Sequence, residues 1–328
     1  MRLPLRQAGA ALLAAMLTVA LVATYAASAM WQQWRAIEVE AAERSRIQSS
    51  WILVGALDWS RLILREDSLA KNDRTDNLTE PWSVPLEEAR LSTFLAAQRG
   101  VSQADDASAD TYNAFLSGRI TDLQSRLNLR NLVVNNTVNA ETLKAFGRLF
   151  NYLGLPQDEL RRIATHMQQA VGREGEGAAN SAAPLLPHTL QQLTWWGISP
   201  VTLSKLAPYV TLLPEATKVN LNTASAEVIW AAADGLDMSQ AQQIVQSRDG
   251  QYFKSVQEAM RLLGDDERLT AAAFEVSSAY FEVRGRMRID QTVVEERSLI
   301  LKQRGFARTL WRERGGFLRD TTYTMGNS

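Results

Sequence analysis

From Gln7 to Trp34 the chain carries no charged residue, and this stretch limits the possible folds more than anything that follows it. Within it, Ala10 to Met30 supplies 21 mostly apolar residues, roughly 30 Å of helix at about 1.5 Å per residue, which is the thickness of a bilayer's hydrocarbon core. Arg2 and Arg6 precede it, and the positive-inside rule keeps that short basic end in the cytoplasm and sends the rest across. A cleaved secretory signal is the competing reading, because Ala23 to Ala29 offers small residues suited to cleavage. Against it, Trp31 and Trp34 lie where an aromatic belt would sit, and helix-compatible sequence continues without Gly or Pro to about Val54. The outer half of this long helix is amphipathic. Ile37, Ala41, Ile47, Trp51, Val54, Leu57 and Leu62 recur at helical spacing among Arg35, Glu38, Glu40, Glu43, Arg44, Arg46 and Arg61. That face needs a partner, either the chain's own globular part or a neighbouring subunit.

The remaining chemistry is restricted by what is missing. Lys and Arg number 35 against 36 Asp and Glu, a net charge of −1, so the whole chain offers nucleic acid no general attraction. With no Cys and only His166 and His188, thiolate catalysis, disulfides, Cys-containing zinc sites and multi-histidine metal sites are excluded or nearly so. No Gly-x-Ser-x-Gly, phosphate-cradling loop with Lys, or His-x-x-x-His pair is present, so an enzyme is not expected and no cofactor is required. Asp58 beside Trp59 and Arg61 reads as a packing or ion-pair position. Acidic clusters at Asp73/Asp76/Glu80, Asp105/Asp106 and Asp265/Asp266/Glu267 offer oxygens to a structural Ca2+, but none has the spacing of a regular calcium loop, and solvated loop charge is the preferred reading.

Strand periodicity occurs in two places far apart. Around Gly118 to Arg130, Thr121, Leu123, Ser125, Leu127 and Leu129 alternate with Asp122, Gln124, Arg126 and Asn128. Near the far end, Phe281, Val283, Gly285, Met287 and Ile289 alternate with Glu282, Arg284, Arg286 and Arg288. Val293 to Gln303 reads as the antiparallel return strand, with Glu295 and Glu296 facing the Arg-rich side of its neighbour, and the charged stripe reads as a solvated sheet face. Between them the sequence repeats a helical unit that ends at Gly and restarts within a few residues: Gly154-Leu155-Pro156, Gly197-Ile198-Ser199 and Gly235-Leu236-Asp237. Each glycine suits a left-handed C-terminal cap, and Ser239 with Gln242 reads as a capping box. Gly172 to Pro187 reads as a mobile loop. Of Trp195 and Trp196, one ring is expected in the core and the other at the surface as a partner contact. A helical block between strands of one sheet makes an α+β fold.

A short basic leader ending in Gly9, an apolar helix from Ala10 and an amphipathic extension together resemble the N-terminus of type IV pilin-like subunits. The resemblance implies cleavage by prepilin peptidase between Gly9 and Ala10. It also implies Glu at the fifth mature position, where this chain has Ala14. An apolar residue there enters lipid more easily, and it cannot pair with the N-terminal amine of a subunit stacked above. Lack of that Glu is similar to one family, the minor pseudopilin K family of the type II secretion system. Further segments resemble the same family: Gln48 to Leu53, Ala56 to Arg61, Glu80-Pro81-Trp82, Asp122-Leu123-Gln124 with Asn128-Leu129, and Val219-Asn220-Leu221-Asn222-Thr223-Ala224. The resemblance runs from about Gly9 to about Arg304.

It implies a pilin-like long N-terminal helix plus an antiparallel sheet, with a large all-α insertion of helix-hairpin-helix or SAM-like type. The expected division is a leader at 1–9, a transmembrane half-helix at 10–30, an amphipathic half at 31–66, a pilin-like α/β domain at 67–135 and 271–318, the insertion at 136–270 and a polar tail at 319–328. It implies a single-pass inner-membrane protein of a Gram-negative bacterium, its globular part periplasmic. This subunit would cap a pseudopilus tip and support export of folded proteins. The implied partners are other minor pseudopilins in a tip complex, prepilin peptidase, the inner-membrane assembly platform and the lipid bilayer.

The rival reading is a membrane-anchored DNA-uptake protein, because Val219 to Phe253 resembles a helix-hairpin-helix module. Such hairpins hold phosphate on backbone N–H groups of a Gly-apolar-Gly turn. Here Asp237 stands in place of the second glycine, with Pro156 and Ser199 at the equivalent positions of the other turns. From Glu215 to Arg268 nine acidic and five basic residues give a net charge of −4, which disfavours nucleic acid as a partner.

Overall fold

The computed structural model describes residues 8–69, 74–93, 113–176, 183–264, 268–290 and 292–315. The apolar stretch and its amphipathic extension form one 62-residue helix, α1 (Ala8–Leu69). Every residue from 10 to 44 is exposed; burial begins near Ser49 and continues through Leu53, Leu57 and Leu64 on one face. That face is rotated from the one periodicity suggested, since Trp51 stays 70% exposed and Leu62 40%. The sheet beneath explains the rotation. Gly285 leaves a hollow there that Leu53 fills, its Cδ2 lying 2.9 Å from where a Cβ on Gly285 would stand.

Five strands make that sheet: β1 (Leu86–Arg90), β2 (Ala114–Asp122), β3 (Tyr280–Ile289), β4 (Thr292–Gln303) and β5 (Phe306–Arg314), in spatial order β1-β2-β3-β4-β5. All neighbours are antiparallel. β2 and β3 pair from Ala114↔Ile289 to Asp122↔Phe281 although the helical block lies between them in sequence. One sheet face packs α1 through Leu57, Leu64, Trp82, Phe281, Val283 and Ile300, with Leu53, Leu116, Met287 and Ile289 farther along. The Trp82 ring meets Phe281 edge-on at 5.1 Å and 73°.

Strand β2 stops at Asp122 and does not continue towards Arg130 as the alternation suggested. Asp122 Oδ1 accepts from the Gln124 N–H at 2.8 Å, and Asn128 Oδ1 from the Arg130 N–H at 3.0 Å. Each bond turns the backbone into a short 3-10 helix, at Leu123–Ser125 and at Leu129–Leu132. Between them Leu127–Asn128 forms a two-residue strand, paired in parallel with Val210–Thr211.

The charged stripe also departs from a solvated face. Arg286 meets Glu295 at 3.4 Å and Arg288 meets Glu88 at 2.5 Å near one end, but Glu282 and Arg297 are buried where the helical block covers the other. Glu296 turns away from the Arg residues of β3 and bonds Arg312 at 3.1 Å and Arg314 at 2.7 Å of β5, because its register partner on β3 is Gly285.

The helical block comprises α2 (Ala140–Tyr152), α3 (Gln157–Glu176), α4 (Pro200–Leu206), α5 (Ala226–Ala232), α6 (Met238–Gly250) and α7 (Val256–Leu262). Its core also takes in Leu127, Leu129, Leu132, Val133 and Phe274 from the flanking segments. Three local expectations change. α3 continues through Gly172 to Glu176, so the start of the expected loop is helical; residues 177–182 lie outside the described residues. The element ending at Gly197 is a 3-10 helix, Leu190–Trp196. The capping box opening α6 is Asp237 with Gln240, not Ser239 with Gln242, because Asp237 directly follows the buried Leu236 that sets where the helix can begin.

Candidate functional site

Three regions are candidates for a functional site: the uncovered half of α1, the seam between sheet and helical block, and a carboxylate cluster beside that seam. On α1, Ala10 and Ala14 are exposed within continuous helix, and Gly9 lies in the same helix. Trp31 and Trp34 are exposed, their rings 5.4 Å apart. The first acidic residue of the chain is Glu38, so no carboxylate accompanies the apolar span. This helix is long and apolar enough to serve as a membrane anchor.

The seam is built from the motif residues themselves. Asn220 Nδ2 donates to the main-chain O of Asp76 at 3.0 Å, to Asp122 Oδ2 at 3.1 Å and to Ser278 Oγ at 2.9 Å. Thr223 and Ser278 donate their hydroxyls to the same Asp122 oxygen, at 2.5 and 2.7 Å. Burial pushes the Asp122 carboxyl above its usual range, and Thr223, Ser278, the Gln124 N–H and Asn220 pull it back. Asn222 exchanges two 2.9 Å bonds with the main chain of Phe253, fastening the hairpin itself. Asn128 Nδ2 reaches Glu215 O at 2.8 Å and Thr217 Oγ1 at 3.0 Å. Segments that looked like separate signatures in the sequence thus bond to one another and lock the block onto the sheet.

Gly154, Gly197 and Gly235 do adopt left-handed φ values, of 63°, 73° and 76°. Each turn is pinned by a cation on a carbonyl at the end of the preceding helix: Lys205 on Leu153 O at 3.3 Å, Arg162 on Gly197 O at 2.7 Å and Arg268 on Gly235 O. Arg148 of α2 adds bonds to Ala231 O at 2.6 Å and Asp234 at 2.6 Å. Sequence reading missed these cations because their partners are main-chain atoms distant in the chain. At the Gly235 turn the Asp237 carboxylate caps the N-terminus of α6, the position a bound phosphate would take in a DNA-binding hairpin. Trp196 is buried and stands edge-on to His166 at 5.6 Å, while Trp195 is 62% exposed.

Of the acidic clusters, Asp73, Asp105, Asp106, Asp265, Asp266 and Glu267 lie outside the described residues. Asp76 and Glu80 come together, joined by Asp67 from the end of α1, with oxygens of all three within 4.8 Å of one another. Lys302 of β4 bonds Asp67 at 2.6 Å and also bonds Asp76, so an ammonium supplies the positive charge at the centre of the group. Burial pushes the Asp76 carboxyl up to about 7, with Lys302 pulling against it. Burial and the nearby Asp67 carboxylate push Glu80 up to about 8, with the Trp82 N–H pulling against them.

Two family models described as "Type II secretion system (T2SS), protein K" match the chain, at residues 125–215 and 219–275. These spans carry the helical block with its flanking core residues. The chain is also 26% identical over 341 residues to the type II secretion system protein K of Pseudomonas aeruginosa, covering 98% of this chain and 93% of that one. Family models and relatives alike are those of the type II secretion system protein K family. The protein K of Pectobacterium carotovorum subsp. carotovorum is 26% identical over 342 residues, covering 95% of this chain and 98% of that one. The fold matches a chain from the crystal structure of the GspK-GspI-GspJ complex of the enterotoxigenic Escherichia coli type 2 secretion system. The TM-score is 0.60 at 19% identity, covering 84% of this chain and 99% of that chain. The family is one of minor pseudopilins, structural subunits not known as enzymes.

Proposed function

We propose that this chain is anchored by residues 10–30 in the inner membrane, with its N-terminus cytoplasmic and its globular part periplasmic, and that it works by capping a pseudopilus tip together with other minor pseudopilins. Prepilin peptidase cuts between Gly9 and Ala10 and frees the α1 helix to pack with its neighbours. The observation that carries the reading is the exposed span from 10 to 44, an apolar and then amphipathic helix surface left uncovered by the chain itself and lacking any acid before Glu38. A subunit without Glu at position 14 has nothing to pair with the N-terminal amine of a subunit above it, which suits the last position in a stack. The helical block adds bulk at the far end of α1. The chain similar in fold comes from a complex named for three subunits, and this supports minor pseudopilins as partners.

Two measurements on the membrane-extracted protein test this. Intact mass and N-terminal sequencing, with and without prepilin peptidase, are expected to show a chain starting at Ala10 only when the peptidase is present. A chain left uncut, or cut beyond Ala23, overturns the processing step. Gold labelling of the helical block on assembled pseudopili is expected to mark one end of each filament, and label along the filament length overturns the capping role.

A further inference from the structure

The sheet face turned away from α1 carries more positive than negative charge. Arg284, Arg286 and Arg288 share that side of β3, and the register sets Arg284 between Arg119 of β2 and Arg297 of β4. Like charges directly opposite in a sheet repel, so this row calls for anions close by. Glu282 and Glu313 serve its inner end, beside the helical block: Glu282 meets Arg284 at 2.5 Å and Glu313 meets Arg297 at 2.6 Å. At the outer end Arg90, Arg119, Arg284, Arg286 and Arg288 stand against Glu88 and Glu295. Adding Arg297, Glu282 and Glu313 from the inner end still leaves six cations to four anions.

Among the described residues this outer end is open: the Arg286 side chain is 48% exposed, and Val293 beside it 44%. Arg288 is fixed in place by the Phe115 ring, 4.1 Å from its guanidinium, and by Glu88 at 2.5 Å. Arg286 is held loosely. Its Nε lies 3.4 Å from Glu295 Oε1, against about 2.7–2.9 Å for a charge-assisted bond, and an exposed pair of this kind contributes little. A carboxylate from outside can take Arg286 without breaking anything on which the fold depends.

Spacing selects the anion. Alternate residues of β3 lie about 7 Å apart, twice a rise of about 3.4 Å per residue, and an extended peptide with an acid at every second position repeats at the same interval. Each guanidinium fork matches one carboxylate. Arg284 also lines a narrow cleft with Arg126 and His188 beside the helical block, so a peptide running up β3 meets a further cation at its end. A continuous polyanion fits less well, because four Glu are interspersed among the cations and the chain's net charge of −1 gives nucleic acid no general attraction. We propose that the outer end of this sheet face is a docking surface for an acidic protein segment in extended form, its alternate carboxylates engaging Arg284, Arg286 and Arg288. The docking surface does not depend on the tip-capping reading.

Fluorescence anisotropy on the full chain in detergent tests this, with a labelled peptide of alternating Glu and Ser as the probe. Affinity is expected to fall about tenfold between about 50 mM and about 300 mM salt, as screening of exposed charges requires. A peptide of the same composition with its Glu residues in one block is expected to bind about fivefold more weakly, and Arg286→Gln to weaken the alternating peptide by about the same factor, one exposed charge contact in each case. Glu295→Gln removes the carboxylate that competes for Arg286 and is expected to tighten binding about threefold. Misfolding does not produce such a gain, so this variant keeps the test open if Arg286→Gln does not fold. No binding to the wild type at about 1 mM peptide, or unchanged affinity in the folded variants, overturns the docking surface. Equal affinity for the two peptides overturns the alternate spacing. A single-stranded oligonucleotide of equal charge that binds as tightly, and loses as much in Arg286→Gln, overturns the choice of a protein segment.

Discussion

Leu53 of α1 and Gly285 of β3 pack so closely that a Cβ on the glycine would lie 2.9 Å from the Leu53 Cδ2 methyl. This contact sets how α1 lies on the sheet and which face it buries. Across the β2–β3 pair, Gly118 is the register partner of Gly285, and a Cβ on Gly118 would lie 2.9 Å from the Arg284 carbonyl oxygen. The two glycines therefore respond differently to substitution. Gly285→Ala pushes on a side chain and is expected to cost about 1–3 kcal/mol, whereas Gly118→Ala pushes on backbone and costs more. Adding Leu53→Ala should make the Gly285→Ala cost smaller than in isolation and leave the Gly118→Ala cost unchanged, as double-mutant cycles from urea titration would show. Additive effects at Leu53 and Gly285 would refute the packing argument.

Asn220 ties three parts of the seam together, Asp76, Asp122 and Ser278. Asn220→Ala removes three donated bonds and takes one donor from the buried Asp122. A loss of about 2–3 kcal/mol is expected, from leaving a buried carboxyl short of partners. Asn222→Ala breaks only the hairpin's internal bonds to Phe253, so limited proteolysis at the block's connections should accelerate in the Asn220 variant and not in the Asn222 variant.

These seam bonds mark the limit of what the residues disclose before folding. The apolar span, the alternation of β3 and the left-handed glycines depend on neighbours in sequence, and periodicity reveals them. The family resemblance singled out Asp122, Gln124, Asn128 and Asn220 as separate segments, but only the closed fold brings Asn220 to 3.1 Å from Asp122 and Asn128 to 3.0 Å from Thr217. The strand running past Asp122 was misplaced for a related reason: alternation is blind to an Asp or Asn side chain that captures the next N–H and turns the backbone. Asp67 enters the carboxylate group because α1 runs on to Leu69, past the expected end of the amphipathic half at 66, and Lys302 enters it from β4, distant in the chain from both its partners.

Lys302→Met tests the balance of charge around Asp76 by its pH dependence. At about pH 8.5 the variant leaves carboxylates facing one another without their ammonium, and a loss of about 3–5 kcal/mol is expected for a broken buried pair. At about pH 5 the folded Asp76 and Glu80 groups are protonated, since their values are raised to about 7 and 8, and the loss should be much smaller. The Lys302 group is itself raised by Asp76 and Asp67 against the cost of burial, so its contribution is present below its unfolded value and is lost only as pH rises beyond it. Denaturation midpoints of wild type and variant at the two pH values provide the check. An equal difference at both would mean that the Met costs only packing.

The turn glycines separate backbone strain from crowding. A Cβ on Gly154 meets nothing within 4 Å, so Gly154→Ala should lose only the roughly 1–2 kcal/mol of a left-handed alanine, and Gly154→Asn less. Gly235 has the same handedness but lies 3.5 Å, by its would-be Cβ, from Arg268 Cδ. That is ordinary van der Waals contact, so Gly235→Ala should cost about as much as Gly154→Ala, and Arg268→Ala should leave the cost of Gly235→Ala unchanged. Urea midpoints for the three single variants and the Gly235/Arg268 double variant decide it.

Ala14→Glu asks whether the missing acid matters to the position of this subunit in an assembly. Ala14 is exposed on continuous helix, so the new carboxyl disturbs no packing within the chain, and it lies four residues beyond the Gly9–Ala10 bond. Cleavage by prepilin peptidase should proceed as in the wild type. In lipid the acid costs up to about 2.5–3.5 kcal/mol, less near a helix end, and pairing with the N-terminal amine of another subunit offsets that cost. Such pairing allows a subunit to be seated above this one. The expected result is a normal yield of processed protein, reduced secretion, and gold label on the helical block appearing away from filament ends. Normal secretion with label confined to one end would show that the bulk of the helical block, and not the absent carboxylate, keeps this subunit at the tip.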